Sequence, residues 1–206
     1  MQAQVVKGLL NASYQDKAPE RVKGWKLDTT MGNKGTKVYY NENKGQAAVV
    51  HRGTKGLQDW KNNLTYLITG KEGYKHTDRF KRAEKVQNAA EAKYGKQNIS
   101  TLGHSQGGLL ARELGKDTRN VITVNPASLH EKPLKNEYTI RSSADVVSSL
   151  YRGGGKQDIV VPSKSRFDVL GNHSYDILDR LGKQKIGKGI RQASAPESFR
   201  TEQPEN

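Results

Sequence analysis

The segment from Asn98 to Lys116, NISTLGHSQGGLLARELGK, constrains the fold more than any other part of the chain. Its first half has the apolar character of a buried strand, and its second half has the pattern of a helix. Between them lies a sharp turn, GHSQG, that makes Ser105 a candidate nucleophile. We interpret Gly103 and Gly107 as elbow glycines, because side chains there would collide in so tight a turn. The backbone N–H of Gln106, at the start of the helix, is then a candidate donor to an oxyanion.

Strand and helix patterns alternate on both sides of this turn. Strands are predicted at 37–41, 46–53, 98–103, 119–128, 136–142 and 157–163. Helices are predicted at 57–68, 77–95, 106–115 and 174–183. Such alternation is typical of an α/β domain with a mainly parallel sheet.

The domain organisation follows from the limits of this pattern. We expect one α/β domain over residues 35–190 and a disordered polar tail over 191–206. Residues 1–34 are polar and mixed, with breaks at Pro19 and Gly24, and predict an N-terminal extension with one short helix.

A nucleophilic serine needs a base, and the base needs an acid that orients it. In elbow hydrolases these follow the serine in the order serine, acid, histidine. Of the five histidines, only His130 and His173 come after Ser105. The only aspartate between Ser105 and His130 is Asp117, and no strand intervenes to carry it to the carboxyl edge of the sheet. His173, in a loop before a predicted helix, is therefore the candidate base.

Three aspartates compete for the role of the acid. Asp145 is favoured because it lies in the loop just past a predicted strand. Asp158 is the rival, although it starts a strand, and Asp168 is close to His173 in sequence. Non-catalytic roles also fit these residues singly: Asp145 could cap a helix, and His173 could contact backbone in its loop. Their order and spacing after Ser105 favour the catalytic interpretation.

Composition sets limits on the chemistry and the partners. The chain has no cysteine, which excludes disulfides, thiol catalysis and cysteine-based zinc sites. We expect no metal or other cofactor. The formal net charge of +14 favours polyanions such as anionic membranes or nucleic acid, but no nucleic-acid-binding motif is present, so specific binding is not expected. No signal peptide or membrane-spanning run is found, which predicts a cytoplasmic protein or a part of a larger assembly.

Five motifs in a fixed order resemble those of the class 3 lipases, the fungal-type lipase family of the α/β-hydrolase fold. They are VVHRGT, DWKNNL, GHSQGG, SADVV and HSYDIL, and the resemblance covers about residues 37–181. It implies a compact α/β-hydrolase fold in which Ser105 is the nucleophile, Asp145 the acid and His173 the base. Thr54 would be the second oxyanion contributor, through its backbone N–H and its hydroxyl. The resemblance implies a serine carboxylester hydrolase that cleaves acyl esters of glycerolipids or phospholipids, with a lipid or small ester as its substrate.

The chain departs from the family pattern in three places. His51 stands where an apolar or aromatic residue is usual, and Gln106 replaces the more usual leucine. Asn63 replaces a common acid, which removes an ion pair with Arg52. The helix at 57–68 stands where the fungal members have a lid, and its apolar stripe fits the core better than a lid.

Two other classes of function fit the same sequence. One is a lipase-like domain that is catalytically idle and acts as a binding or structural component of a larger assembly. The other is binding of membrane or nucleic acid through charge alone, which would be steeply salt-dependent and would survive loss of Ser105. Nothing in the sequence indicates the oligomeric state.

Overall fold

The computed structural model describes residues 1–54, 74–127, 133–145, 158–163 and 173–188. The helices of this part are α1 (Ala3–Tyr14), α2 (Asp78–Tyr94) and α3 (Gln106–Leu114). The strands are β1 (Arg21–Val22), β2 (Trp25–Leu27), β3 (Thr36–Asn41), β4 (Gln46–His51), β5 (Ile99–His104), β6 (Asn120–Val124), β7 (Glu137–Ser142) and β8 (Asp158–Val161). Short 3₁₀ helices occupy Glu42–Lys44, Lys96–Asn98 and Tyr175–Leu181.

The strands form one eight-stranded sheet whose spatial order is the order of the chain. The pairs from β1 to β4 are antiparallel, and the pairs from β4 to β8 are parallel. In the parallel part, His51 lies opposite Gly103 and His104 opposite Val124. The carboxyl ends of neighbouring strands therefore meet at one edge, which is where α/β proteins place their sites. The predicted α/β class with a mainly parallel sheet is confirmed.

Helices cover both faces of the sheet, because alternate residues of a strand point to opposite faces. Strand β4 is buried from Ala47 to His51. Its residues Ala48 and Val50 share a core with α1 and the 3₁₀ helix Tyr175–Leu181, whereas Ala47 and Val49 share a core with α2. Helix α3 packs beside α2 through Leu109 and Leu110. The fold is thus a three-layer arrangement around a strand that is apolar on both faces.

The residues before position 35 belong to the same sheet and core. The pattern predicts a polar extension there, yet α1 is buried along one face through Val6, Leu9 and Leu10, and β1 and β2 add two strands to the sheet. Lys23 and Gly24 both have positive φ and form the turn between these strands. The break expected at Gly24 is therefore a hairpin turn inside the folded unit.

The other predicted elements fall close to their expected positions. The β3–β4 hairpin is present, and α2 begins after Thr77, whose hydroxyl accepts the N–H of Phe80. The predicted helix at 174–183 is a 3₁₀ helix, Tyr175–Leu181, capped by Ser174. The predicted helix at 57–68 and the predicted tail at 191–206 lie outside the described residues. Within the described ranges, no helix has both the length and the apolar character needed to span a bilayer.

Candidate active site

Ser105 occupies the turn between β5 and α3, as predicted. Its φ of 55° and ψ of −124° place a non-glycine residue in a sparsely populated conformation. The residue is buried, with 3% of its surface exposed. Strain of this kind is held in place only by the surrounding packing. The turn places the hydroxyl at the carboxyl edge of the sheet, beside the first turn of a helix.

The two elbow glycines lie where the backbone of neighbouring segments comes too close for a side chain. A Cβ on Gly103 would overlap the backbone of Gly107, and a Cβ on Gly107 would overlap the carbonyl oxygen of His51. Gly108 is tight as well, because its Cβ would lie 2.9 Å from that of Pro126. The close approach of α3 to the end of β4 therefore requires glycine at 107.

Three of the predicted site residues form one hydrogen-bonded line. His173 Nε2 lies 2.8 Å from Ser105 Oγ, and His173 Nδ1 lies 3.0 Å from Asp145 Oδ1. A carboxylate only accepts, so Nδ1 carries the proton and Nε2 is left to accept the serine hydroxyl. Asp145 is 2% exposed and follows β7 by a tight turn, in which its N–H donates to the carbonyl of Ser142. A nucleophile, a base and an orienting acid would need this geometry.

The competing residues are placed elsewhere. Asp158 lies on β8 and accepts three hydrogen bonds from Arg141 of β7, one from Nη2 at 2.9 Å and two from Nε at 3.1 Å and 3.2 Å. That pairing commits its carboxylate to a bidentate ion pair within the sheet. Asp168 and His130 lie outside the described residues.

The loop after β4 carries Thr54 to the elbow. The Thr54 hydroxyl donates to the side-chain oxygen of Gln106 over 3.0 Å, so its proton is directed to that oxygen. As the first residue of α3, Gln106 has a backbone N–H with no acceptor inside the helix. The two predicted oxyanion contributors are thus in contact, with the backbone N–H groups as the donors that remain for a substrate.

Arg79, at the start of α2, forms hydrogen bonds that hold the Gln106 side chain and the loop after β4. Its Nη1 donates to the Gln106 side-chain oxygen at 2.6 Å, and its Nη2 donates to the carbonyl of Arg52 at 2.5 Å. The Gln106 oxygen therefore accepts from both Thr54 and Arg79. Leucine, the more usual residue at this position, would offer no acceptor to Thr54 or Arg79. The glutamine at 106 therefore has a structural role that leucine could not fill.

A chain of hydrogen bonds runs behind the candidate site from α1 to the backbone of His173. The N–H of Gly53 donates to the Tyr14 hydroxyl at 2.7 Å, and that hydroxyl lies 2.7 Å from His104 Nδ1. His104 Nε2 lies 2.7 Å from the carbonyl of His173. Since a carbonyl only accepts, Nε2 carries the proton and Nδ1 accepts from Tyr14. The loop at Gly53 and the backbone of His173 are thus both bonded to the pair formed by Tyr14 and His104.

Burial keeps both members of this chain uncharged. It lowers the pKa of His104 to about 3, and the neighbouring His173 acts in the same direction. It also raises the pKa of the Tyr14 phenol, with the N–H of Gly53 acting against that shift. The tautomer of His104 is therefore set by its partners and stays fixed at neutral pH.

Asn125, the residue directly after β6, joins the segment of His173 to the end of β7, which precedes Asp145. Its Nδ2 donates to the carbonyl of Ser174 at 3.1 Å, and its Oδ1 accepts the N–H of Ser142 at 2.9 Å. Its φ of 41° lies in the left-handed region, which asparagine tolerates better than most residues. The neighbours of His173 and Asp145 are therefore held by one amide side chain.

The sequence pattern alone misses Tyr14, Arg79 and Asn125 as parts of the site. His104 was visible inside the GHSQGG motif, but its partners were not. A weak indication exists for Arg79 and Asn125, because each is a polar residue at the start of a helix or directly after a strand. For Tyr14 there is none, because it lies in the segment predicted to be an extension.

Comparison with known proteins agrees with this fold. Among solved structures, Lip2 lipase from Yarrowia lipolytica is 13% identical, with a TM-score of 0.53 and coverage of 91% of this chain and 93% of the lipase. A CIB-like hydrolase from Thermoplasma acidophilum is 14% identical, with a TM-score of 0.40 and coverage of 77% and 97%. No curated protein matches the chain. The likeness to the lipase shows the fold, which is that of the α/β-hydrolases.

A phospholipase-like family, the Tle-like phospholipase domain, matches residues 4–157. The match begins within α1, so it includes the segment that the sequence pattern sets apart as an extension. The α/β-hydrolase superfamily expected from the motifs is confirmed, whereas membership of the class 3 lipases stays a prediction. With most of its length matched, the chain belongs to the family of Tle-like phospholipase domains.

Proposed function

We propose that this protein is a serine carboxylester hydrolase that cleaves acyl esters of phospholipids through an acyl-enzyme. The observation that carries the proposal is the line of hydrogen bonds from Ser105 through His173 to Asp145, at 2.8 Å and 3.0 Å. The membership of a phospholipase-like family supports the choice of substrate, and the net charge of +14 supports contact with anionic membranes.

In the first half of the reaction, His173 Nε2 takes the proton of Ser105 as Oγ attacks the ester carbonyl carbon. The backbone N–H groups of Gln106 and Thr54 bind the oxyanion that develops on the carbonyl oxygen. Asp145 holds the imidazolium in place through Nδ1–H. His173 then gives its proton to the leaving alkoxide, and the lysophospholipid departs.

In the second half, the same histidine takes a proton from water, whose oxygen attacks the acyl-enzyme carbonyl. The second tetrahedral intermediate uses the same oxyanion donors. Its collapse breaks the bond to Ser105 Oγ, which recovers the proton from His173, and the fatty acid leaves. No metal or other cofactor is needed for any of these steps.

The test is hydrolysis of phosphatidylcholine and phosphatidylglycerol vesicles, together with p-nitrophenyl esters of short and long acyl chains. Wild type is compared with Ser105→Ala and with Ser100→Ala, a matched change on β5 whose hydroxyl bonds to Asn120. We expect free fatty acid and lysophospholipid from wild type and Ser100→Ala, and a loss of at least ~10⁴-fold in Ser105→Ala.

Two results would contradict the proposal. Release of a phosphorylated head group in place of a fatty acid would point to cleavage of a different bond. Absence of turnover by folded wild-type protein on every ester and vesicle would favour a catalytically idle binding or structural component. Salt-sensitive vesicle binding that persists in Ser105→Ala would separate membrane contact from catalysis.

A further inference from the structure

A cavity of about 420 Å³ lies beside the oxyanion loop, between the turn before β3 and the helices α2 and α3. It is separate from the line of Ser105, His173 and Asp145, none of which lines it. Its described wall consists of Asn33, Lys34, Gly35, Thr36, Arg52, Arg79, Arg82, Ala83 and Leu110. Lys34 and Arg82 are exposed, so the cavity has a solvent-facing side.

The wall of this cavity carries four cations and, among its described residues, no carboxylate. Lys34, Arg52, Arg79 and Arg82 are the cations, and no ion pair involves any of them in the described ranges. Two buried carboxylates elsewhere in the described chain have cationic partners: Glu137 lies 3.1 Å from Arg112, and Asp28 lies 2.8 Å from Lys93. The four cations of the cavity have no such carboxylate partner within the described ranges.

Burial in the cavity wall is energetically unfavourable for two of the cations, Arg52 and Arg79. Arg52 Nη1 is buried and has no hydrogen-bond partner, although buried polar atoms are normally satisfied. Burial lowers the pKa of Arg79, and the nearby Arg52 and Arg82 act in the same direction. An anion in the cavity would offset both the missing hydrogen bond and the repulsion between like charges.

The frame around the cations is built from backbone contacts. The Asn33 side chain donates to the carbonyl of Arg82 at 3.1 Å, and the N–H of Arg52 donates to the carbonyl of Gly35 at 3.0 Å. Arg79 lines the cavity and uses two of its five N–H donors on Gln106 and the Arg52 carbonyl, so three donors are not used by these two bonds. Guanidinium groups in this number suit a tetrahedral oxyanion with several acceptor oxygens.

We propose that this cavity binds a phosphate group. The choice of a lipid phosphate as its source rests on the proposed function, because a phospholipid substrate carries that group close to the ester. Arg79 connects the cavity to Gln106, so an occupied cavity also stiffens the oxyanion loop. Free phosphate is the other source of the same chemistry, and the experiment separates the two.

The probe is inorganic phosphate, titrated by calorimetry at constant ionic strength into Ser105→Ala protein, which cannot turn over a substrate. Lys34→Gln and Arg82→Gln each remove one exposed cation from the wall and leave the frame intact. Lys44→Gln and Arg21→Gln are the matched controls, because both residues are exposed and lie outside the cavity. Thermal unfolding checks that each variant is folded.

We expect each wall variant to weaken phosphate binding by ~10-fold or more, and each control by less than about twofold. Monomeric diheptanoyl-phosphatidylcholine should displace phosphate competitively, whereas diheptanoylglycerol, which lacks the phosphate, should not. Displacement by the phospholipid assigns the cavity to the lipid head group. Phosphate binding that resists displacement assigns it to free phosphate.

Absence of phosphate binding by the Ser105→Ala protein would overturn the inference, and so would equal weakening in wall and control variants. Neither result depends on turnover. If vesicles are hydrolysed but phosphate does not bind, the proposed function stands and the cavity assignment falls. If phosphate binds but no ester is cleaved, the assignment stands without the proposed function.

Discussion

The phenol oxygen of Tyr14 lies 2.7 Å from Nδ1 of His104, although 90 residues separate them in the chain. Tyr14 also stacks on Tyr175, with ring centroids 5.6 Å apart, so its ring is held from two sides. Tyr14 accepts the N–H of Gly53, and His104 bonds to the carbonyl of His173, so α1 is connected to both segments. The first helix is therefore part of the support of the candidate active site.

Replacing Tyr14 with phenylalanine keeps the stacking and removes the hydroxyl. Two buried partners, the N–H of Gly53 and Nδ1 of His104, then lose their hydrogen bonds, and each loss costs about 1–3 kcal/mol. We expect kcat to fall by about tenfold with a smaller change in KM, because the loop geometry matters most in the transition state. Steady-state kinetics on a p-nitrophenyl ester would measure both constants.

Tyr39→Phe is the matched control for this experiment. The Tyr39 hydroxyl is also bonded to one backbone partner, the carbonyl of Pro19 at 2.8 Å, but it has no contact with the site. It should lower the free energy of unfolding without lowering kcat in folded protein. Equal kcat values for the Tyr14 and Tyr39 variants would show that Tyr14 contributes only to stability.

Gln106→Leu tests the hydrogen bonds by which the Gln106 side chain on α3 holds Arg79 on α2 and Thr54 after β4. The change removes the acceptor of Arg79 and Thr54 at a position that is 5% exposed, and leaves a buried guanidinium hydrogen unpaired. We expect a destabilisation of about 1–3 kcal/mol in urea unfolding and a fall in kcat of roughly tenfold.

Gln106→Glu is the companion variant, because it keeps an acceptor oxygen for Thr54 and Arg79 and adds a negative charge opposite Arg79. It should regain most of the lost stability. An unchanged kcat and unfolding midpoint in Gln106→Leu would contradict the role assigned to this side chain.

Gly107→Ala should disrupt the fold at the elbow. The new Cβ would overlap the backbone carbonyl of His51, which belongs to a central strand and has no room to move. We expect a loss of about 3 kcal/mol or more, seen as a lower melting temperature or loss of folded protein. Gly35→Ala is the control, because a Cβ there meets its nearest atom at 3.6 Å. A stable, active Gly107→Ala protein would contradict the close packing described here.

Two buried histidines make the stability depend on pH. Burial lowers the pKa of His51 to about 4 and that of His104 to about 3, whereas the unfolded values are near 6.5. The unfolded chain therefore binds more protons below pH 6.5, and stability is lost as the pH falls from 6.5 toward 4. Each histidine contributes a slope of up to about 1.4 kcal/mol per pH unit.

Urea unfolding of wild type and His51→Gln between pH 7 and pH 5 would measure this slope. The variant should lose about half of it, because Gln cannot titrate while it keeps polar atoms toward Thr36 and Gln87. Above pH 7 the two proteins should show no such difference in slope. Parallel curves for both proteins across the whole range would rule out His51 as a source.

The sequence allowed the sheet, the elbow and the order of the three candidate residues to be predicted, because those signals are local. Ser105 lies in a motif that needs its own glycines, and Asp145 and His173 follow strands and helices with clear patterns. The α/β pattern also predicts that these residues lie close together, because the carboxyl ends of parallel strands meet at one edge of the sheet. Asp158 was a rival only because its partner, Arg141 on the adjacent strand, was not evident from the sequence.

The remainder depended on contacts between distant segments. Tyr14 and His104 meet across 90 positions, and no periodicity marks either residue. The apolar face of α1 does not show which part of the protein it packs against, and the residues around it are polar. The sequence therefore did not indicate that α1 belongs to the core. The side chain of Gln106 was set aside because only its backbone was expected to act, yet that side chain holds Arg79.

The hydrogen-bonded chain from Tyr14 to His173 joins residues that are made at different times during synthesis. Tyr14 is made early and His173 late, and translation at about 5–20 residues per second separates them by roughly ten seconds or more. Until His173 is made, Nε2 of His104 lacks its carbonyl acceptor, and the Ser105 hydroxyl has no imidazole beside it. Under the proposed mechanism, a ribosome-bound or prematurely stopped product that lacks His173 is therefore inactive toward esters.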